Sequence, residues 1–259
     1  MNIITVKYLV DDKIVDHKDD RLEQINLSDL VIVDSGQIQE LARVINIYQA
    51  DKFKNVEGEG RILRVVNVDD QKTIVKNKKD ALKYIPKCEE KINATNLSMK
   101  VVDVDLSFDG KKLTIYFSAG GRIDFRILVA DFVRSFKKLI RLQQIGPREQ
   151  AAKVDGYGKC GQRICCARFA KSKDTVTLEL AKNQNLSESS NNKINGYCGK
   201  LMCCLKYEDE LYSEIKKKLP KIGEEYKTPK GIGVVVRQNI LSNSILVELK
   251  NAEKIEVKL

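Results

Sequence analysis

KCGQRICCARF occupies residues 159–169, and YCGKLMCCLKY occupies residues 197–207. Each stretch reads Cys-Gly, three residues, Cys-Cys, one residue, then a basic residue and an aromatic. Cysteines at 160, 165 and 166 recur at 198, 203 and 204, a constant offset of 38, and six of the chain's seven cysteines lie in the two copies. A thiol pattern written twice asks for a shared chemical purpose.

Thiolates are soft ligands that select zinc, copper(I) or iron–sulfur clusters. The single histidine, His17, lies far away in the sequence, so a metal site here is expected to be all-cysteine. Structural zinc uses cysteine pairs about two to four residues apart, and a gap of about four also occurs in plant-type ferredoxins. Ligand sulfurs around a polynuclear cluster stand farther apart than those around one ion. The gap therefore suits a cluster, with zinc as the alternative. Gly161 and Gly199 follow the first cysteine of each copy, where a glycine lets backbone approach sulfur and tolerates positive φ.

Adjacent side chains diverge whether the backbone is helical or extended. One cysteine of each Cys-Cys pair is therefore assigned to the shared site, which gives Cys160, Cys165, Cys198 and Cys203. Cys166 and Cys204 remain. One is expected to be a small buried hydrophobe, and the other to face a second centre completed by another protein. A thiol oxidoreductase is a further alternative, weakened by the lack of a Cys-x-x-Cys pair. Cys88, on an apolar helix stripe, reads as core.

The chain has 259 residues, 42% of them hydrophobic, and a formal net charge of +10. No apolar run approaches the roughly 20 residues of a membrane-spanning helix. The opening MNIITVKYLV reads as a strand rather than a secretory leader. The expectation is a cytoplasmic protein without direct membrane insertion, where thiols stay reduced and clustered cysteines favour metal or redox chemistry. Residues 134–173 hold eleven basic residues against Glu149 and Asp155. This block, with Arg141, Arg148, Lys153, Lys159, Arg163, Arg168, Lys171 and Lys173, is a candidate surface for nucleic acid or a partner. The plain alternative is a solvated basic face. No phosphate-binding loop occurs, and one histidine leaves little material for a Ser/His/Asp arrangement. No catalytic residues and no enzymatic activity are expected.

Alternation and turn signals predict α+β architecture. The runs IITVKYLV, LVIVDS, IQELARVINIY and GRILRVVNV read as strands. The final segment from residue 220 reads as two or three more, too few to hold a core alone. The expectation is a discontinuous, barrel-like β domain made of residues 1–68 and 220–259. Residues 69–146 read helix–strand–strand–helix–strand, a sandwich of an antiparallel sheet backed by helices. Pro86 kinks or splits the first helix, Val102, Val104 and Leu106 share one strand face, and Asp124 caps a helix running to Leu139. Residues 147–219 form the cysteine-rich cluster-binding region and a helix ended by Pro220, with TVTLELAK left open between strand and helix.

DFRILVADFVRSFKKLIRLQQIGPREQA, GKCGQRICC, AKNQNLS and INGYCGKLMCCLKYE resemble the RicT/YaaT stage-zero sporulation family, the group defined by a PSP-type C-terminal domain. The resemblance covers at least residues 98–208 and extends more loosely over the whole chain. It implies a non-enzymatic iron–sulfur regulatory subunit acting with small helical partners of the YlbF/YmcA type. Their complex would carry [4Fe–4S] clusters and associate with the membrane-tethered endoribonuclease RNase Y, influencing mRNA maturation, phosphorelay, sporulation, competence and biofilm formation. The resemblance also implies that Cys160, Cys165, Cys198 and Cys203 ligate one cluster, and that Cys166 serves a second one shared with partners.

Overall fold

The computed structural model describes residues 2–10, 13–18, 25–49, 60–95, 97–170, 175–186 and 191–259. The chain divides into two units, residues 1–146 and 147–259.

In the first unit, β1 (Asn2–Tyr8), β2 (Ile14–Lys18), β3 (Leu30–Asp34), β4 (Gln39–Gln49) and β5 (Arg61–Val65) form an antiparallel sheet in the order β2-β1-β4-β3-β5. Strand side chains alternate between faces, and one face collects Ile4 and Val6, Val31 and Val33, and Ala42 and Val44 into a core. The mostly polar β2 was not anticipated. It buries His17 to 1% exposure, where the ring Nδ1 lies 3.1 Å from the Gly60 carbonyl.

The second layer comprises α1 (Val68–Leu82), α2 (Tyr84–Ala94), β6 (Met99–Leu106), β7 (Lys112–Ala119), α3 (Arg126–Phe136) and β8 (Leu139–Gln144). Asn67 and Asp70 form a reciprocal capping box that starts α1. The expected split of the first helix falls at Lys83. Pro86 sits in the first turn of α2, where its missing N–H has no partner to lose. Three expectations need correction. The sheet is not wholly antiparallel, because α3 is a crossover that returns β8 parallel to β7. Register slips between Val101 and Asp103, so Val101 and Val104 are the buried residues of β6 rather than an unbroken alternation from Val102. The helix ends at Phe136, not Leu139, because Lys137 turns left-handed at φ 52°; its cap residue is Phe125, while Asp124 accepts from the Arg126 N–H at 3.1 Å.

Cys88, Ile92, Leu113, Ile115, Leu128 and Phe132 fill the core between helices and sheet. Burial pushes the Cys88 thiol up to about 12, which suits inert packing.

The second unit comprises α4 (Pro147–Val154), α5 (Cys165–Arg168), α6 (Leu178–Asn183), α7 (Asn191–Ile194), α8 (Cys203–Lys218), β9 (Glu225–Thr228), β10 (Gly231–Asn239), β11 (Ser244–Leu249) and β12 (Lys254–Lys258). The end of TVTLELAK is helical, forming most of α6, rather than a strand. The last four strands form their own antiparallel meander, in the order β12-β11-β10-β9. Among the described residues they do not pair with the N-terminal sheet, and none of the sheets closes into a barrel. The missing layer comes from α8 instead. Tyr212 and Ile215 of α8, together with Leu219 just beyond it, pack on Val235, Ile240, Ile245 and Val247. One amphipathic helix gives the meander a core that a hairpin alone lacks.

Candidate metal centre

The two cysteine stretches fold into the same backbone device. In the first, Gly158 N–H donates to Gln162 O at 2.8 Å, Gly161 N–H to Gly158 O at 3.0 Å, and Ile164 N–H to Gly156 O at 3.0 Å. In the second, Gly196 N–H donates to Lys200 O at 2.7 Å, Gly199 N–H to Gly196 O at 3.0 Å, and Met202 N–H to Ile194 O at 3.0 Å. Every donor and acceptor has its counterpart 38 positions on. Gly161 and Gly199 turn the chain at φ 76° and 74°, the left-handed region that their sequence position anticipated. Each knuckle then enters a helix whose first two residues are the adjacent cysteines: Cys165 and Cys166 open α5, and Cys203 and Cys204 open α8. The aromatics that close the repeats meet in space, with the Phe169 and Tyr207 rings 4.7 Å apart.

All six motif cysteines line one cavity of about 110 Å³, whose lining also includes Ile164 and Met202. Burial raises the thiol of Cys165, and neighbouring Cys203 and Cys160 raise it further. Cys166 is raised by burial and by Cys203 and Cys198, and Cys204 by burial and by Cys165. Thiols from both copies therefore feel one another's charge. Crowded thiols resist ionisation until a cation compensates them. Among the described residues, no group of three or more Cys, His, Asp or Glu side chains is arranged to hold a single metal ion. The six-thiol donor set nevertheless fits a thiophilic group, since six cysteines and the thioether of Met202 line this cavity and, among the described residues, no His, Asp or Glu does.

The five predicted ligand cysteines, Cys160, Cys165, Cys166, Cys198 and Cys203, thus share one cavity. Cys204, which the sequence left without a role, lines it too. Its closeness to Cys165 depends on how the copies pack, which spacing within a copy does not encode. The basic candidates fall on several elements. Lys159 and Arg163 line the cavity, and Arg163 is paired with Asp155 at 2.6 Å. Arg148 of α4 donates to Leu201 O at 3.1 Å, tying α4 to the second knuckle. Arg168 lies over the Phe169 ring at 5.9 Å. Lys153 is on α4, and Arg141 lies in β8 of the first unit. Lys171 and Lys173 fall outside the described residues. Asp155 was missed as a structural partner. The Arg163 guanidinium beside it, and then the Gly156 N–H, hold its carboxyl below the ordinary range.

Comparison with known proteins gives the class first. Residues 60–145 match the PSP1 C-terminal conserved region, and residues 175–219 match the third domain of PSP1-like proteins. The stage 0 sporulation protein YaaT of Bacillus subtilis is 39% identical over 223 residues, spanning 86% of this chain and 79% of that protein. An uncharacterised protein of Schizosaccharomyces pombe is 29% identical over 168 residues, spanning 54% of this chain and 22% of its own length. No solved structure matches. The chain belongs to the YaaT family of PSP1-type proteins. Among the described residues, no helix is long and apolar enough to cross a membrane.

Proposed function

We propose that this chain is a non-enzymatic, cytoplasmic regulatory subunit that holds an iron–sulfur cluster of the [4Fe–4S] type on Cys160, Cys165, Cys198 and Cys203. The reading is carried by one observation: two matching knuckles bring thiols from both copies to the same cavity. When bound, such a cluster supplies an oxidation-sensitive junction between the two copies. The chain's own residues do the rest. The glycine turns carry the first cysteine of each copy, the helix starts present the second, and Ile164 and Met202 line the same cavity. Loss of the group would leave the two knuckles joined only by packing, which couples shape to iron or redox state.

In this reading Cys166 serves a second cluster completed by small helical partners of the YlbF/YmcA type. The assembly modulates RNA processing by RNase Y and, through it, sporulation, competence and biofilm development. Lys159 and Arg163 lie at the cavity and offer charge to an RNA or an acidic partner face.

The deciding experiment is anaerobic purification with iron, sulfide and zinc quantified per chain. Iron and sulfide in matching amounts, lost on Ser substitution of any of the four ligands, is the expected outcome. Zinc without sulfide overturns the cluster and leaves a zinc-stabilised module. Cys166→Ser is expected to keep the chain's own iron and weaken co-purification with the helical partners. If both stay unchanged, the shared second centre is wrong.

A further inference from the structure

A second cavity, of about 420 Å³, lies at the C-terminal end of α8. Its lining includes Asn183 of α6, Ser213, Lys216 and Lys217 of α8, Lys221 just beyond, and Gln238 of β10. The floor is fixed. Gln238 is 3% exposed, its Nε2 donates to Pro220 O at 2.7 Å, and its backbone carbonyl accepts from Asn185 Nδ2 at 2.7 Å. Leu219, 4% exposed, pins the chain between helix and sheet.

The rim is cationic, with Lys216, Lys217 and Lys221 in the lining. Among the described residues, no carboxylate lines the cavity. Around it, Asp209 accepts from Asn183 at 3.3 Å and Glu224 from the Lys221 backbone N–H at 2.9 Å, and Glu214 follows Ser213 on α8 outside the lining. Lysines in the last turn of a helix offset its negative end, and that accounts for Lys216, Lys217 and Lys218 as a group. It does not account for Lys221, which lies past the helix and converges on the same space. Gln238 also leaves its Oε1 buried with no hydrogen-bond partner among the described residues, an acceptor in the floor that a ligand hydroxyl would satisfy.

We propose that this cavity binds a ribose phosphate, with Lys216, Lys217 and Lys221 on the phosphate oxygens and the sugar toward Ser213 and Gln238. Its volume falls in the range of small-ligand pockets, about 300–1,000 Å³, and ammonium groups serve phosphate as point charges. A free nucleotide and the end of an RNA strand are two sources of the same chemistry.

The full-length chain is titrated calorimetrically with ADP, and separately with a short single-stranded RNA, at low salt. Saturable binding of either is expected. ADP binding that RNA does not displace assigns the free nucleotide; RNA binding that excess ADP does not displace assigns the strand. The variant Lys217→Gln with Lys221→Gln should weaken binding at least about tenfold, whereas the charge-matched Lys218→Gln with Lys250→Gln, outside the lining, should change it less than about twofold. Ser213→Leu fills the cavity without altering charge and should also weaken binding. The proposal is overturned if neither ligand binds, if the charge-matched control loses as much as the cavity variant, or if Ser213→Leu binds as the parent does.

Discussion

The two cysteine knuckles share a backbone but not an anchorage. The first continues into α5, a single turn of four residues. It is braced locally, by the Arg163–Asp155 pair and the packing of Ile164. The second continues into α8, sixteen residues long, whose far end packs on the C-terminal sheet. A repeated motif thus specifies a local shape twice, while stability is set by what each copy runs into. The second knuckle is built into a core, and the first is pinned at its rim.

The largest test of this contrast uses matched positions. Leu205 in α8 is 1% exposed, and its counterpart 38 positions earlier is Ala167. Leu205→Ala should cost about 2–5 kcal/mol, the range for a truncated core leucine. Ala167→Gly should cost about 1 kcal/mol or less, an effect of helix propensity. Urea unfolding of protein kept anaerobic measures both. Equal losses would mean that the first copy shares in the core as deeply as the second.

A sharper test asks for equality. An added Cβ at Gly161 or Gly199 meets no atom within 4 Å, so only the left-handed backbone opposes alanine there. Gly161→Ala and Gly199→Ala should each cost about 1–2 kcal/mol, and by similar amounts. A difference larger than about 1 kcal/mol between them would show that the two turns are not the same device.

The doubled motif was legible because local hydrogen bonding follows local sequence. Cys-Gly repeated at a fixed offset predicts two turns with positive φ, and the alternation in β1, β3 and β4 predicts which side chains face inward. What stayed hidden depends on contacts distant in sequence. The strand IVDHK carries too few apolar residues to announce itself, and is recruited by pairing with β1. The slip at Val101 is a property of the β6–β7 pair, not of β6. Helix α3 was readable, yet its consequence, a parallel β8, was overlooked, although a helix between neighbouring strands is the usual parallel connection. The last strands are too few to stand alone, and their partner is the apolar face of Tyr212, Ile215 and Leu219, whose helical period shows a helix but not what it packs on. Spacing puts Cys160, Cys165, Cys198 and Cys203 forward as ligands, and the cavity gathers them together with Cys166 and Cys204; the placing of Cys204 near Cys165 is not encoded in the spacing of either copy.

The smallest effect concerns acid. Asp155 sits at φ 63° in the turn before the first knuckle, and the Arg163 guanidinium holds its carboxyl below the ordinary range. The position of Arg163 in the second copy is Leu201, which carries no charge. A carboxyl with a depressed folded value stabilises above its unfolded range and loses that contribution as pH falls through the folded value. Arg163→Gln should therefore be slightly less stable than the parent at neutral pH, with the difference shrinking below about pH 4 as Asp155 protonates in both proteins. Asp155→Asn keeps a residue that tolerates the left-handed turn and should flatten the same acid limb. Urea midpoints at pH 7 and pH 3 decide it. A deficit in Arg163→Gln that is as large at pH 3 as at pH 7 would show that the guanidinium acts by packing at the cavity rim, and the rim-pinned picture of the first knuckle would have to rest on Ile164 alone.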